Sequence, residues 1–172
     1  MKEITFKELN ENMISRIGSD WMLITSGDEK SFNMMTASWG GVGFMWGKPV
    51  AVAVIRPTRH TFGFVEQTKR FTLSFFEDGK REMAVLGSKS GRDMDKMHES
   101  GFTPFALPDG QMGYKEAWLT LECEVLYQDN LKEENFLDKS LCERWYTPEQ
   151  GGYHMAYVAE IKHCLLYTSD AA

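Results

Sequence analysis

The chain has 172 residues, of which 42% are hydrophobic and 13% aromatic, so it can bury a sizeable core and is short for two domains. Its formal net charge of −6 argues against a nucleic-acid partner that binds through neutralised phosphates. No apolar run is long enough to span a membrane, and the N-terminal stretch lacks a secretory pattern. We therefore expect a cytoplasmic protein with a small-molecule partner, no nucleic acid and no membrane.

The first elements in chain order are a short helix and a hairpin. Apolar residues recur at helical spacing from Phe6 to Ile17, which predicts a short packed helix or turn. Residues 20–39 then form two extended runs around a polar turn at Gly27 and Asp28. This pattern predicts two antiparallel strands.

Four further strands are predicted with short helices or loops between them. The strands are "KPVAVAVIRP", "RFTLSFF", "AWLTLECEVLYQD" and "HMAYVAEIKH". A short helix capped by Thr58 or Thr61 is expected after the first of them. Six strands with few long helices predict a closed or nearly closed antiparallel barrel, because such apolar runs need an inner core. A parallel α/β sheet is the weaker alternative, since no GxGxxG follows the first strand.

The cysteines and histidines give no sign of a metal site. Cys123, Cys142 and Cys164 are widely separated, without a CxxC motif, so we expect reduced thiols rather than disulfides. The histidines likewise lack metal-ligand spacing, and no metal is expected.

The last nine residues, "CLLYTSDAA", are similar to the translation of a common sequencing-library transposase adapter. We interpret residues 164–172 as a non-native read-through tail and residues 1–163 as the domain. On this interpretation Cys164 is not a native residue.

Three polar segments follow or interrupt the strands: "MTASWGG", "RPTRHT" and "GSKSGRD". In the second, Arg56 and Arg59 precede a helix start near Thr61, where free amides and the helix dipole favour a phosphate. The third combines two glycines with hydroxyl, ammonium and guanidinium donors, which suit a phosphate or a ribityl chain. Taken alone, each segment is also compatible with an ordinary surface turn.

Together these segments are far more specific. Residues 33–76, from "NMMTASW" to "FTLSFF", followed by "GSKSGRD", resemble the flavin reductase-like proteins of the FMN-binding split-barrel superfamily, in particular its flavoredoxin-like branch. The resemblance extends to about His163. It implies a mainly β fold, a six-stranded antiparallel split β-barrel with short peripheral helices. It also implies a homodimer with one FMN near each interface, reduced by NADH or NADPH, and electrons passed to a small-molecule or protein acceptor.

The resemblance also implies roles for individual residues. A strand segment that lines the isoalloxazine ring corresponds to Thr36, Ala37, Ser38 and Trp39. The phosphate-binding segment corresponds to Arg56, Arg59 and Thr61, and the strand beside the ring to Ser74, Phe75 and Phe76. The loop over the ribityl phosphate corresponds to Ser88, Lys89, Ser90, Gly91 and Arg92. The alternatives are core packing for Trp39 and Phe75.

His154 corresponds to a position near the flavin face, where it could contact the nicotinamide or its phosphates, although a lone histidine at a strand start also suits a structural role. No catalytic acid or base is expected, because the flavin itself carries the hydride chemistry and the protein binds and orients it.

Three alternatives to a flavin reductase remain open. The first is a flavoredoxin-type FMN electron carrier without NAD(P)H activity of its own. The second is a flavoprotein like the pyridoxamine-phosphate oxidases, which the "TASW" and "GSKSGRD" pair disfavours. The third is a barrel without catalytic activity, which would be colourless.

Overall fold

The computed structural model describes residues 1–167, and its main feature is an antiparallel sheet of eight strands. Its strands are β1 (Lys2–Ile4), β2 (Met22–Asp28), β3 (Ser31–Ala37), β4 (Gly40–Met45), β5 (Lys48–Ile55), β6 (Arg70–Phe75), β9 (Leu119–Asn130) and β10 (Met155–Leu166). Two short strands, β7 (Pro104–Ala106) and β8 (Met112–Tyr114), form a separate hairpin. The order in the main sheet is β3-β2-β6-β9-β10-β5-β4, with β1 beside β10.

The main sheet wraps around the larger of two buried hydrophobic clusters. Alternate residues of the strands belong to one buried cluster, including Ile24, Ala53, Phe71, Leu73, Leu121, Cys123, Tyr157 and Ala159. Strands β3 and β4 stand at opposite ends of the strand order, yet only Ser38 and Trp39 connect them in the chain. The sheet must therefore curve until its ends meet, which is the split-barrel arrangement. This confirms the predicted fold.

All six predicted strands form, and the structure adds β1 and β4 to the main sheet. Strand β4 has the sequence GGVGFM, and its three glycines weaken the strand signal in the sequence. The predicted hairpin is also confirmed, because β2 pairs with β3 in register from Met22–Ala37 to Asp28–Ser31.

The helices are short and peripheral. They are α1 (Met13–Ser15), α2 (His60–Thr68), α3 (Lys80–Ser88), α4 (Lys96–Ser100) and α5 (Ser140–Trp145), with single 3-10 turns at 6–8, 133–135 and 148–150 and a π turn at 16–20. The N-cap of α2 is Arg59, which has extended backbone angles, so the predicted cap at Thr58 or Thr61 is wrong. Within residues 1–167, no helix has the length and apolar character needed to cross a membrane.

The first residues of the predicted tail continue the last strand. Cys164 in β10 pairs with Leu121 of β9 and with Ile4 of β1. The end of the predicted tail, residues 168–172, lies outside the described residues. The domain boundary at residue 163 therefore stays a prediction.

Candidate functional site

Two adjoining cavities lie where the ends of β3 and β5 approach α2 and α3. The first, of about 340 Å³, is called the tryptophan cavity and is lined by Met35, Thr36, Ala37, Ser38, Trp39, Val54, Arg56, Arg59, Gly87, Trp145, Gln150 and His154. The second, of about 250 Å³, is called the basic cavity and is lined by Asn33, Met35, Thr58, Arg59, His60, Thr61, Ser88, Lys89, Ser90, Gly91, Arg92 and Lys96. Because both contain Met35 and Arg59, one elongated ligand can occupy the two together.

The basic cavity concentrates positive charge without a counter-ion. Arg59, Lys89, Arg92 and Lys96 all line it, and its lining contains no aspartate or glutamate. Among residues 1–167, none of these four cations forms an ion pair with a carboxylate. Arginine and lysine grouped in this way favour an anion with several oxygen acceptors, such as a phosphate.

Helix α2 begins at the basic cavity. Its N-cap residue, Arg59, makes no side-chain cap hydrogen bond. The side chain of Thr61 is buried and accepts a hydrogen bond from Asn33 Nδ2 at 2.7 Å. Within residues 1–167 the amides of His60 and Thr61 have no hydrogen-bond acceptor, whereas that of Phe62 donates to the carbonyl of Arg59 at 3.0 Å. These two free amides and the positive end of the helix dipole favour an anion there.

Lys96 is a buried cation that the sequence prediction missed. Its Nζ donates hydrogen bonds to the main-chain carbonyls of Met34 and Leu86, both at 2.8 Å. Burial, and after it the charge of Arg59, lower the pKa of Lys96 to about 8. An ammonium has three donors, so one remains for a ligand in the cavity. Lys96 is the first residue of α4, where a cation opposes the helix dipole, and that is the signal in the sequence that could have indicated it.

The loop after α3 closes the basic cavity. Ser90 Oγ accepts a hydrogen bond from the amide of Arg92 at 3.1 Å, and Arg92 Nη1 donates to the carbonyl of Thr58 at 3.3 Å. The predicted loop residues that line the cavity are Ser88, Lys89, Ser90, Gly91 and Arg92. The structure thus brings them together with Arg59 and Thr61.

The tryptophan cavity has flat walls and one free hydroxyl. The hydroxyl of Thr36 donates to the carbonyl of Met83 on α3, so it keeps only its acceptor capacity for a ligand. Ser38 lines the cavity, and its Oγ makes no hydrogen bond within residues 1–167. The ring of Trp39 packs edge-on against Trp145, with centroids 5.1 Å apart.

His154 lies in the wall of the tryptophan cavity as an uncharged side chain. It is buried, and its Nδ1 is 3.1 Å from the hydroxyl oxygen of Tyr146. Burial, followed by the charge of Arg56, lowers the pKa of His154 to about 4. At neutral pH the imidazole is therefore neutral and offers hydrogen bonding rather than charge.

Arg56, unlike Arg59, lines only one of the two cavities. It lines the tryptophan cavity and is absent from the lining of the basic cavity. Its guanidinium donates to the carbonyl of Trp145 at 2.8 Å and to that of Gly152. The chain turns at Pro57, between the two arginines, so that Arg56 and Arg59 point to different neighbours.

Three further candidates are not brought to either cavity. Ser74, Phe75 and Phe76 are buried, and none of them lines the tryptophan or the basic cavity. Ser74 Oγ lies 3.2 Å from Thr120 Oγ1, and Phe76 stacks on Phe102 with centroids 4.4 Å apart. The physical reason is the position of β6, which lies between β2 and β9 in the sheet and directs Phe75 into the barrel core, while Phe76, just after the strand, belongs to a second buried cluster with Phe102.

Comparisons with known proteins show the family and the fold. A family model described as flavin reductase like domain matches residues 14–170. The fold is similar to flavoredoxin of Desulfovibrio vulgaris (Miyazaki F), with 19% sequence identity, coverage of 87% of this chain and 70% of that chain, and a TM-score of 0.66. No curated protein sequence matches the chain significantly.

Two further solved structures share the fold. An FMN-binding protein from Thermus thermophilus with bound 1-cyclohex-2-enone has 21% identity, coverage of 96% of this chain and 80% of that chain, and a TM-score of 0.65. Flavoredoxin from Methanosarcina acetivorans has 17% identity, coverage of 100% of this chain and 79% of that chain, and a TM-score of 0.66.

Proposed function

Because the chain belongs to the flavin reductase-like domain family, we propose that it binds FMN and acts as an NAD(P)H-dependent oxidoreductase that passes electrons to an acceptor. The observation that carries the proposal is the pairing of the two cavities. A cluster of cations without carboxylate partners adjoins a cavity with flat aromatic walls. FMN has the matching chemistry, a phosphate dianion joined by a polyol chain to a planar ring.

The basic cavity fits the phosphate of FMN. Arg59, Arg92 and Lys96 would neutralise it, and the first turn of α2 would add amide donors. The buried ammonium of Lys96 is the strongest argument, because a buried cation without an anionic partner is costly unless a ligand compensates it. Charge-assisted hydrogen bonds of this kind contribute about 1.5–3 kcal/mol each.

The tryptophan cavity fits the ring. Residues 36–39 would lie along the ring edge, where Ser38 offers a hydroxyl that can donate or accept as the ring changes its charge. The ring of Trp39 contacts those of Trp145 and the neutral His154, with centroids 5.1 and 5.2 Å apart, and these three side chains would shield the flavin ring from water. FMN, when bound, supplies hydride and electron transfer, and these residues bind, orient and shield it.

We also propose that two copies of the chain associate through β4. This edge strand and the following turn expose apolar side chains, with Phe44 72% and Trp46 58% exposed. A mainly apolar cavity of about 420 Å³ next to β4 includes Ile14, Val42 and Trp39. An exposed apolar strand edge of this kind favours pairing with a second copy. Because Trp39 also lines the tryptophan cavity, the contact would adjoin the flavin site.

Sedimentation velocity tests the dimer. The wild-type protein should sediment as a dimer, and Phe44→Ser combined with Trp46→Ser should shift it to the monomer. Leu137→Ser is the matched control, because Leu137 is likewise an exposed apolar residue but lies far from β4 in the chain. A monomeric wild type, or a dimer that survives the double substitution, contradicts this interface.

The first test of the proposed function is the flavin itself. Freshly purified protein should be yellow and should release FMN on denaturation. The apoprotein should bind FMN at least about tenfold more tightly than riboflavin, because only FMN has the phosphate, and tenfold corresponds to about 1.4 kcal/mol. A colourless protein that takes up neither flavin would overturn the proposal.

A second assay separates the reductase from an electron carrier. The holoprotein is mixed with NADH or NADPH, first without and then with a soluble acceptor. Steady oxidation of one nucleotide supports the reductase. A flavin that neither nucleotide reduces, but that a protein donor does reduce, supports a flavoredoxin-type carrier.

A further inference from the structure

Residues 145–154 reach the tryptophan cavity from the connection between β9 and β10, and Arg56 holds them at two points. Its guanidinium donates to the carbonyl of Trp145, at the end of α5, and to that of Gly152, just before β10. The two carbonyls lie on either side of the 3-10 turn at 148–150. A single side chain thus joins both ends of the segment 145–152 to the end of β5.

The same guanidinium contacts the aromatic side chains of this excursion. Its central carbon lies 5.4 Å from the ring centroid of Tyr146. Tyr146 in turn contacts His154 through its hydroxyl and stacks on Tyr153, with centroids 4.5 Å apart. Trp145, Tyr146 and His154 are called the aromatic wall below. Trp39 packs edge-on against Trp145, so the position of the wall also sets that of Trp39.

An arginine side chain is better suited than a lysine side chain to bind both carbonyls and the ring of Tyr146 at once. A guanidinium presents five donors in a rigid plane, so it can bond two carbonyls while its face lies on an aromatic ring. A lysine ammonium is a single point of charge on a flexible stem and cannot hold both carbonyls and the ring in one geometry. Within residues 1–167, Arg56 has no carboxylate partner that would compete for these donors.

We propose that Arg56 is a positioning residue, which fixes the aromatic wall and so shapes the space for a flat second ligand, the nicotinamide or an aromatic acceptor, beside the flavin. This inference rests on the proposed function for the identity of the ligands. It replaces the phosphate role that the sequence predicted for Arg56, because its donors are directed at main-chain carbonyls of the wall.

The test compares Arg56→Lys and Arg56→Ala with the control Arg81→Lys, since Arg81 is exposed and makes no side-chain hydrogen bond within the described residues. The first readout is limited trypsin digestion of the apoprotein, which needs no flavin. Arg144 is exposed and directly precedes Trp145, so cleavage there reports release of the wall. We expect cleavage about tenfold faster in both Arg56 variants, because local opening governs proteolysis, and unchanged cleavage in the control.

The second readout is the ratio of the FMN and riboflavin affinities, which isolates the phosphate contacts. We expect Arg56→Ala, which removes the charge, to keep the wild-type ratio and Arg59→Ala to lower it about tenfold. In the loaded enzyme Arg56→Lys should raise KM for the nucleotide more than it lowers kcat. Tyr146→Phe, which keeps the ring but loses the bond to His154, should reproduce part of the change in cleavage if Arg56→Ala does not fold.

Two results would overturn the inference. The first is wild-type cleavage after Arg144 in Arg56→Lys, because the wall would then not depend on the guanidinium. The second is loss of the FMN preference in Arg56→Ala, which would return Arg56 to the phosphate. If the wild-type protein binds neither flavin, the proposed function fails, while the digestion still decides whether Arg56 holds the wall.

Discussion

Asn33 and Gly91 approach each other so closely that a Cβ on Gly91 would lie 2.0 Å from Asn33 Oδ1. Asn33 is on β3 and is buried, and its Nδ2 is bonded to Thr61 at the start of α2. The loop over the basic cavity is thereby locked to the strand and to the helix that form its other walls. A side chain at residue 91 therefore fits only if the Asn33 side chain moves away.

Gly91→Ala should therefore weaken FMN binding. The new methyl group forces the Asn33 side chain to rotate and to break its bond with Thr61, which disturbs two walls of the basic cavity. We expect FMN affinity to fall about tenfold and the free energy of unfolding to fall by about 1 kcal/mol. Flavin fluorescence titration and urea unfolding measure the two effects.

Gly63→Ala is the matched control, because a Cβ on Gly63 of α2 meets no atom within 4 Å. It should leave FMN binding unchanged and stabilise the protein by about 0.5–1 kcal/mol, since alanine is the better helix former. Equal FMN affinity in the Gly91→Ala variant and the wild type would show that the loop does not shape the site.

The pKa of Lys96 predicts a pH dependence of FMN binding. In the free protein this pKa is lowered to about 8, and a phosphate dianion beside the ammonium would raise it again. FMN binding should take up a proton near pH 8 and weaken as the pH rises further. Calorimetry in buffers of different ionisation enthalpy measures the proton uptake. The ratio of the FMN and riboflavin affinities removes any pH dependence that comes from binding of the flavin ring.

Lys96→Gln should lose this proton uptake and lower the FMN preference about tenfold. Lys7→Gln is the control, because Lys7 is an exposed lysine on the first 3-10 turn. Undiminished uptake in Lys96→Gln would mean that another group titrates and that Lys96 does not contact the phosphate.

The strands were predictable because their signals are local. The alternation in "RFTLSFF" and the polar turn before "SFNMMTASW" define β6 and the hairpin without knowledge of the rest of the chain. The same alternation places Phe75 in the barrel core, so its predicted place beside the ring conflicted with the pattern of its own strand. Strand β4 was missed because a glycine-rich strand is stabilised by its partner β5 and not by its own side chains.

The site was only partly predictable because its shape depends on long-range docking. Residues 88–92 line the basic cavity, and their hydrogen-bond donors are adjacent in the chain, so the sequence pattern alone indicated this loop. Lys96 enters the site only because α4 packs against the carbonyl of Met34, more than sixty residues earlier in the chain. The orientation of the Arg56 side chain likewise depends on the carbonyls of Trp145 and Gly152. These residues are about ninety positions away in the chain, and no local sequence pattern connects them to Arg56.

The lowered pKa of His154 predicts that acid destabilises the protein. The unfolded chain binds a proton near its ordinary pKa of 6.5, whereas the folded chain binds it only near 4. Stability should therefore fall as the pH drops from 6.5 towards 4, by up to about 3 kcal/mol. His154→Phe should flatten this dependence and the control His98→Gln, at an exposed histidine, should not. Urea unfolding at several pH values measures this dependence. If the free energy of unfolding of His154→Phe fell as steeply with pH as that of the wild type, His154 would not be its cause.

Glu122 predicts the opposite pH dependence at another place in the barrel. Its side chain is buried, and neither carboxylate oxygen meets a donor in good geometry within the described residues. Burial raises the pKa of Glu122, with a smaller contribution from Asp109, against the attraction of His163 and Arg70.

A raised pKa means that the folded state binds this proton more tightly than the unfolded state. The stability that Glu122 contributes is full below its ordinary pKa of 4.5 and is lost as the pH rises through the raised value. Glu122→Gln, which has the same shape without the charge, should therefore be more stable than the wild type at pH 8 by about 1–2 kcal/mol. The difference should shrink as the pH falls towards 4.5.

Glu124→Gln is the control, because Glu124 lies two residues further along β9 and is exposed. It should change the free energy of unfolding by less than about 0.5 kcal/mol at either pH. If Glu122→Gln were less stable than the wild type at pH 8, the attraction of His163 and Arg70 would outweigh the cost of burial. The ionised carboxylate would then be a stabilising part of the barrel.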